Sequence, residues 1–173
     1  MKQTKWFDRK FEFASDQNIF PSVIERLSGT PARLEEKLKA ISADFLTGKI
    51  DNTWSIKENI GHLSDLETLW QGRFEDIVSG AKEMRSTDLL NRNTDLQNHN
   101  DTSLEELLQR FREIRNKTLS NLENIDERVV FKSALHPRLK KPMRTMDLFL
   151  FVAEHDDHHL ARMTEIAKFF LNT

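Results

Sequence analysis

Residues 148–170 read LFLFVAEHDDHHLARMTEIAKFF, and this stretch joins the pattern of a buried helix to a highly polar centre. Its apolar residues recur at three- and four-residue intervals, which is the spacing of one face of an α-helix. Its centre, residues 154–159, holds three acids and three histidines. Because polar side chains are rarely buried unless they are paired or bound, this stretch predicts a core helix that carries a functional site.

Two of these histidines share one face of the predicted helix. His155 and His159 are four residues apart, so they project from the same side. Both fall in the middle of the apolar arc, whose other members are Leu148, Phe151, Val152, Met163, Ile166 and Phe170. His158 falls on the margin of the arc, and Asp156 and Asp157 are predicted to point away from the core. Two imidazoles at this spacing can bind one metal ion.

A third histidine on the core side comes from an earlier helix. Ser55 and Glu58 form the pattern of a capping box, which predicts a helix start, and Ser79 and Gly80 predict its end. On the helix between them, His62 falls on the face that carries most of the apolar residues. One histidine from this helix and two from the last helix can meet inside a bundle.

Together the three imidazoles predict a metal site. A single histidine on an apolar face is more often a hydrogen-bonded core residue, and an i, i+4 pair can also be structural. The convergence of three favours a metal, and three protein ligands leave coordination positions open, as in catalytic sites. Imidazole suits zinc, nickel, iron or copper, so the ligand type does not select the ion.

The remaining patterns predict an all-α fold. The expected helices cover residues 20–41, 55–79, 103–122 and 145–170. We expect the first to be interrupted at residues 29–31, where Thr30 could cap a new turn that begins at Pro31. The third opens at a second capping box, formed by Ser103 and Glu106. Four amphipathic helices with connections of medium length predict a four-helix bundle.

We expect one domain over residues 1–173, with an N-terminal arm at residues 1–18 and the bundle at residues 19–171. The arm is expected to be ordered because it carries four aromatic residues, Trp6, Phe7, Phe11 and Phe13. The three connections between the helices read as loops. They cover residues 42–53, 81–102 and 126–144. We expect a short turn at residues 87–90 in the second loop and allow for a short extended piece in the third.

Composition limits the partners and the compartment. The chain has 26 basic and 28 acidic residues, and this balance does not indicate a nucleic-acid partner. No apolar run is long enough to span a bilayer, and the N-terminus lacks the apolar core of a signal peptide. Cysteine is absent, which excludes disulfides and thiolate ligands. We therefore expect a cytoplasmic protein that binds neither nucleic acid nor membrane.

Two sequence motifs resemble those of the DinB/YfiT-like superfamily of metalloenzymes. They are WSIKENIGHL at residues 54–63 and HDDHHL at residues 155–160, which are similar to the family's Trp-Ser-x-x-Glu-x-x-x-His-Leu and late His-x-x-x-His patterns. The opening WFDRKF at residues 6–11 and the segment HPRL at residues 136–139 also look like one branch of this family.

This resemblance implies a four-helix bundle of up-down-down-up topology that is often dimeric. It also implies a divalent metal, commonly nickel or zinc, on three histidines, which by motif fall on His62, His155 and His159. Members of the family include thiol S-transferases that use low-molecular-weight thiols, a maleylpyruvate isomerase and amide hydrolase-like proteins. The resemblance therefore implies thiol transfer or hydrolysis, and it does not select a substrate.

Several other polar side chains are predicted near the site. Arg73 and Arg162 fall on the inward arcs, where either could receive an acidic substrate or simply form a salt bridge. Glu58 and Asp65 flank His62 and could orient its ring by hydrogen bonding, or could be solvated helix charges. Two further histidines lie in predicted loops and are expected to be ordinary loop residues unless a loop covers the site; they are His99 and His136.

Three functions remain open at this point: a metal-dependent enzyme, a non-catalytic metal- or small-molecule-binding module, and a helical interaction protein with structural histidines. For the enzyme, we expect a cleft whose entrance is walled by residues 42–53 and 126–144. We also expect a homodimer, from the resemblance and from the aromatic residues gathered at the chain ends, which are Phe7, Phe11, Phe13, Phe169 and Phe170.

Overall fold

The computed structural model describes residues 3–13, 16–51 and 53–172. These residues form six α-helices and two short strands, which in chain order are α1 (Phe20–Lys39), α2 (Ile56–Ser79), α3 (Arg92–Leu96), α4 (Leu104–Leu122), α5 (Glu127–Phe131), β1 (Ser133–Leu135), β2 (Pro142–Arg144) and α6 (Thr145–Leu171). Single turns of 3-10 helix lie at Trp6–Asp8, Ala43–Phe45 and His99–Asp101. Part of the predicted arm, residues 1, 2, 14 and 15, and residue 52 of the first predicted loop lie outside the described residues, as does residue 173.

The four long helices form the predicted up-down-down-up bundle. Helices α1 and α2 each pack against both α4 and α6. Contacts along the helices show that α1 runs parallel to α6, that α2 runs parallel to α4, and that α2 runs antiparallel to α6. For α1 and α6 these contacts are Thr30–Asp156 and Lys37–Thr164. For α2 and α4 they are Glu67–Arg115 and Gln71–Thr118. For α2 and α6 they are Asn59–His159 and Phe74–Phe149. The fold prediction is confirmed.

Helix α1 is continuous through Pro31, so the predicted interruption is wrong. Proline has no backbone N–H, which leaves the carbonyl of Leu27 without its helical partner. Arg115 of α4 supplies that partner, because its Nη1 atom donates to the Leu27 oxygen at 3.2 Å. Thr30 does not cap a new turn, since its hydroxyl lies 3.1 Å from the carbonyl of Arg26 and 2.9 Å from Oδ2 of Asp156, with one hydrogen to donate between them. A contact from another helix therefore compensates the break that the local sequence predicts.

A buried ionic network ties the four long helices together. Arg115 donates through Nε and Nη2 to Glu67 at 2.9 and 2.6 Å, and through Nη1 to Asp156 at 2.7 Å. Thr118 donates to the second oxygen of Glu67. Burial acts against the guanidinium charge, but the carboxylates of Asp156 and Glu67 outweigh it and raise the pKa of Arg115. The prediction that Asp156 points away from the core is wrong, because α6 is covered by α1 as well as α2.

The helix ends follow the predicted caps. Ser55 and Glu58 form a complete capping box at the start of α2, and Gly80 ends this helix with a left-handed φ of 81°. At the start of α4 the hydroxyl of Ser103 accepts from the backbone N–H of Glu106. These side chains satisfy backbone donors that have no partner within a helix, so the start of each helix was readable from the sequence.

Two connections hold more regular structure than predicted. Residues 81–102, expected to be a loop with a turn at 87–90, contain α3 and the turn at His99–Asp101. Residues 126–144, expected to be a loop with allowance for a short extended piece, contain extended structure, as the antiparallel pair of β1 and β2, and also α5. Met84 donates to the carbonyl of Leu135 and attaches the first connection to the second. These elements are short, and contacts with the bundle rather than local periodicity position them.

The described part of the N-terminal arm lies across α6. The rings of Trp6 and Phe11 both lie 4.9 Å from the ring of Phe151. Arg9 forms an ion pair with Glu154 at 2.5 Å, which fixes the arm beside the polar centre of α6. None of the helices in the described ranges is both long and apolar enough to cross a membrane.

Candidate metal centre

Three buried histidines converge between α2 and α6. His62 comes from α2, and His155 and His159 come from successive turns of α6. Their candidate ligand nitrogens all lie within 4.8 Å of one another. The Nε2 atoms of His155 and His159 are 3.2 Å apart, close to the separation of about 3.3 Å for two nitrogens about 2.0 Å from a tetrahedral ion. The donor set and its spacing therefore fit one divalent metal ion.

Asn59 holds the ring of His159 with its Nε2 atom toward the common point. The Oδ1 atom of Asn59 lies 2.7 Å from Nδ1 of His159. The amide orientation is consistent with this, because Nδ2 of Asn59 donates to the carbonyl of Ser55 at 2.7 Å. The carbonyl oxygen can only accept, so Nδ1 of His159 carries the hydrogen and Nε2 keeps its lone pair. That lone pair is what a metal ligand requires.

A chain of two hydrogen bonds orients His62 in the same way. The hydroxyl of Thr94, in α3, donates to Oδ2 of Asp65 at 2.9 Å. Nδ1 of His62 lies 3.0 Å from that hydroxyl, which is left to accept. His62 therefore donates from Nδ1 and presents Nε2 to the other two histidines. Asp65 acts on His62 through Thr94, a residue that no sequence pattern marked, because the segment around it was predicted to be a loop.

His155 lies in apolar surroundings. Its ring lies edge-on to Trp6 at 4.9 Å and to Trp70 at 5.8 Å. Its Nδ1 atom is buried and has no hydrogen-bond partner among the described residues. Its Nε2 atom faces the lone pair of His159. This imidazole is therefore the least satisfied of the three by protein groups.

All three histidines are neutral near pH 7. Burial, and secondarily the charge of His99, lowers the pKa of His62 to about 3. Burial first, then neighbouring histidines, lower the pKa values of His155 and His159 well below the ordinary 6.5. Neutral imidazole is the form that binds metal, so the site is ready to bind a metal without losing protons.

A cavity of about 740 Å³ opens onto this centre through His159. Its walls come from the N-terminal arm, from residues 49–51, 53 and 54, from the start of α3 and from α6. Trp54 lines the cavity beside the centre, with its ring 4.4 Å from that of His62 and 6.2 Å from that of His159. The predicted wall at residues 42–53 is present in part. The predicted wall at residues 126–144 is wrong, since the arm takes that place.

The sequence was compared with models of known protein families. The family model described as the DinB superfamily matches residues 26–163. The chain belongs to the DinB superfamily. No functionally curated protein matches it.

A solved structure of another DinB-like protein has the same fold. YfiT from Bacillus subtilis aligns with a TM-score of 0.79 and 19% sequence identity over 94% of this chain and 93% of that chain. YfiT is described as a probable metal-dependent hydrolase with an unusual four-helix bundle topology. At this level of identity the match establishes the shared fold of this DinB-superfamily member.

The other predicted site residues divide into those at the cavity and those away from it. His158 and Arg162 line the cavity, and Arg162 is paired with Glu165 at 2.6 Å. Glu58 does not touch the three histidines: it completes the α2 capping box and pairs with Lys49 at 2.7 Å. Of the two alternatives for Glu58, the structure therefore has a helix-end charge and not a group that orients a ligand imidazole.

Both predicted loop histidines are buried, and neither joins the centre. His99 lies against α2 and its Nε2 atom is 2.9 Å from Oδ2 of Asp65. A Cβ atom on Gly61 would lie 2.2 Å from this ring, so only glycine fits at that position. The Nε2 atom of His136 lies 3.0 Å from Nη1 of Arg73. Arg73 is also buried, and it does not line the cavity.

Proposed function

We propose that this member of the DinB superfamily is a metal-dependent hydrolase in which His62, His155 and His159 hold one divalent ion. One observation carries the proposal: hydrogen bonds fix two of the three imidazoles so that their free Nε2 atoms face one small space that the third also faces. The description of YfiT as a probable metal-dependent hydrolase agrees with it. Nickel and zinc are our candidate ions, since both accept nitrogen ligands.

The residues around the three histidines orient the metal ligands and border the cavity. A divalent ion held there would polarise a substrate carbonyl and make water a competent nucleophile near neutral pH. Asn59 and Thr94 hold the ligand rings in orientation, and Asp65 holds Thr94. Trp54 lines the cavity beside the centre. Three protein nitrogens leave at least one coordination position for substrate or water, and His159 is the ligand that borders the cavity.

Transfer of a small thiol is the second candidate. The observation that favours it is the size of the cavity, because about 740 Å³ is ample for a thiol and an electrophile side by side. Both reactions would use the same open coordination position. A non-catalytic metal-binding role is the remaining alternative.

The first test is the metal content of protein purified without an affinity tag. We expect about one divalent ion per chain, since the three ligands form a single set. His62→Ala, His155→Ala and His159→Ala should each lose most of it. His158→Ala is the matched control, because this residue lies beside the centre in the same helix and should retain the ion. Metal loss in the His158 variant with retention in the His159 variant would overturn the assignment.

The second test is turnover. Metal-loaded protein is assayed on a panel of amides and esters and on a panel of thiol–electrophile pairs, with His155→Ala as the blank. Hydrolysis that disappears in the blank supports the hydrolase. Turnover of the thiol pairs alone supports the transferase. A bound ion with turnover of neither panel supports the binding module.

A further inference from the structure

A second polar cluster, formed by Arg73, His136 and Arg138, lies beside the metal centre. Trp70 contacts both: its ring is 5.8 Å from the ring of His155, and the guanidinium of Arg73 lies 5.3 Å from its centre. Arg73 is only 2% exposed. Its polar partners are the backbone carbonyl of Arg85 at 3.1 Å and the ring of His136. Within the described residues this cluster holds two guanidinium groups and no carboxylate.

The ring of His136 cannot satisfy all the donors that surround it. Its Nδ1 atom faces the backbone N–H groups of Arg138 at 3.2 Å and Leu139 at 3.1 Å. Its Nε2 atom faces Nη1 of Arg73 at 3.0 Å. A neutral imidazole has one accepting nitrogen and one N–H. If Nδ1 accepts from the backbone, the ring offers Arg73 a hydrogen rather than a lone pair.

Arg138 is half-buried, and one of its donors also lacks an acceptor in the described part of the chain. Its Nη2 atom is buried and has no hydrogen-bond partner among the described residues. Its guanidinium lies 5.1 Å from the centre of the ring of Phe7. Phe7 lines the cavity that opens onto the metal centre. Arg138 therefore lies against a residue of the cavity wall, although neither Arg138 nor Arg73 itself lines the cavity.

A buried guanidinium normally has an anionic partner, as Arg115 has in Glu67 and Asp156. Burial, together with the charge of Arg138, lowers the pKa of Arg73 to about 10, and burial lowers the pKa of Arg138. The carboxylate of Asp76 acts on Arg73 in the opposite direction, but it is hydrogen-bonded to Arg85 and does not outweigh burial. The cluster thus offers positive charge, aromatic surfaces and more N–H donors than acceptors.

We propose that Arg73 and Arg138 form a carboxylate-binding subsite at the edge of the metal cavity, with Phe7 and Trp70 as its aromatic walls. A planar carboxylate matches the fork of a guanidinium and would supply acceptors for Nη1 of Arg73 and Nη2 of Arg138. Apolar walls suit a monoanion attached to a hydrocarbon or ring better than a hydrated phosphate dianion. The further claim that the substrate carries a carboxylate rests on the proposed function. The existence of the binding site does not.

Benzoate binding to metal-free full-length protein tests the subsite, with benzamide as the uncharged match and inorganic phosphate as the alternative anion. We expect benzoate to bind about tenfold or more tightly than benzamide, since a charge-assisted hydrogen bond contributes about that factor or more. Equal binding of the two, or binding of phosphate in place of benzoate, would overturn the carboxylate assignment.

Variants locate the binding site. Arg73→Gln and Arg138→Gln should each weaken benzoate binding about tenfold or more, and Arg138→Lys should weaken it too, because lysine keeps the charge without the planar fork. Arg162→Gln is the control, an arginine of the cavity wall that is already paired with Glu165, and it should retain benzoate binding. Loss in the Arg162 variant with retention in the Arg138 variants would place the anion elsewhere.

The His155→Ala variant separates this proposal from the metal centre. Benzoate binding that survives in His155→Ala supports a subsite independent of the metal ligands. Binding that is lost in His155→Ala but kept in the Arg73 and Arg138 variants would mean that the carboxylate binds at the histidines, which overturns the subsite and leaves the metal proposal standing. Metal that is retained in all three histidine variants would overturn the metal proposal and leave the benzoate result unaffected.

Discussion

Two buried polar clusters meet on adjacent residues of α6, and they differ in how their hydrogen bonds are used. Asp156 belongs to the network around Arg115, where the guanidinium donates to Glu67, to Asp156 and to the carbonyl of Leu27. His155 belongs to the metal centre, where hydrogen bonds hold the outer sides of two rings and the inner nitrogens face one another. The first cluster satisfies itself, and the second leaves free lone pairs.

This difference separates a structural cluster from a binding site. A network whose donors and acceptors are all paired stabilises one arrangement of the helices, and loss of one member strands a buried charge. A set of lone pairs that face a common space is satisfied only when a ligand binds there. Loss of one of these side chains should therefore lower the affinity for the ligand more than it lowers folding stability. The same reasoning identifies the two guanidinium groups near His136 as a place for an anion.

The largest expected effect is on folding stability. Arg115→Met should lower the free energy of unfolding by about 3–5 kcal/mol, because it leaves Glu67 and Asp156 buried without their counter-charge. Urea unfolding of the metal-free protein measures it. Arg112→Met is the matched control on the same helix as Arg115. It breaks an exposed pair with Glu35 of α1 and should cost less than about 1 kcal/mol. Equal stability of the Arg115 variant and the native protein would mean that the network does not hold the bundle.

The next effect concerns the residues that orient the histidines. Thr94→Val should weaken metal binding by about 10- to 100-fold with little change in stability, because His62 loses the acceptor that holds its tautomer. Competition with a chromophoric chelator measures the affinity. Thr94→Ser should restore binding, and the exposed Thr68→Val is the matched control. Unchanged affinity in Thr94→Val would show that α3 does not position His62.

The pH dependence of stability tests the neutral state of the histidines. Their pKa values in the folded state lie below 6.5, so below pH 6.5 the unfolded chain binds protons that the folded protein does not, and stability falls as pH falls. For metal-free protein, His62→Gln should reduce the stability lost between pH 7.5 and pH 5.5 by about 1.4 kcal/mol. Urea midpoints at the two pH values measure it. An unaltered loss in the variant would contradict the neutral, buried His62.

The smallest effect is expected at residues outside both clusters. A homodimer stays our proposal, although Phe11 is buried and Phe170 packs on Phe45, so fewer terminal aromatics are exposed than the sequence indicated. Phe169 is 46% exposed, and Phe169→Ser should leave metal binding and unfolding nearly unchanged while weakening the dimer. Sedimentation at micromolar concentration measures this, and a native protein that sediments as a monomer would contradict the proposal.

The sequence by itself determined the four long helices and the apolar face that each of them buries. Caps such as Ser55 and Ser103 and the helical period are local properties, because they depend on residues within a few positions of one another. The same period directed His62, His155 and His159 toward the interior, where the structure has them. The family and the bundle topology also followed from short motifs in the sequence.

Only the tertiary structure decided how polar groups from different elements combine. The continuity of α1 through Pro31 depends on Arg115, which is 84 positions away in the chain. Burial of Asp156, the role of Thr94 and the pairing of Arg73 with His136 likewise need a partner from another segment. Helical periodicity reports on which side of its own helix a residue lies. Whether a buried polar side chain is satisfied, and by what, depends on the groups that other segments bring within hydrogen-bonding distance.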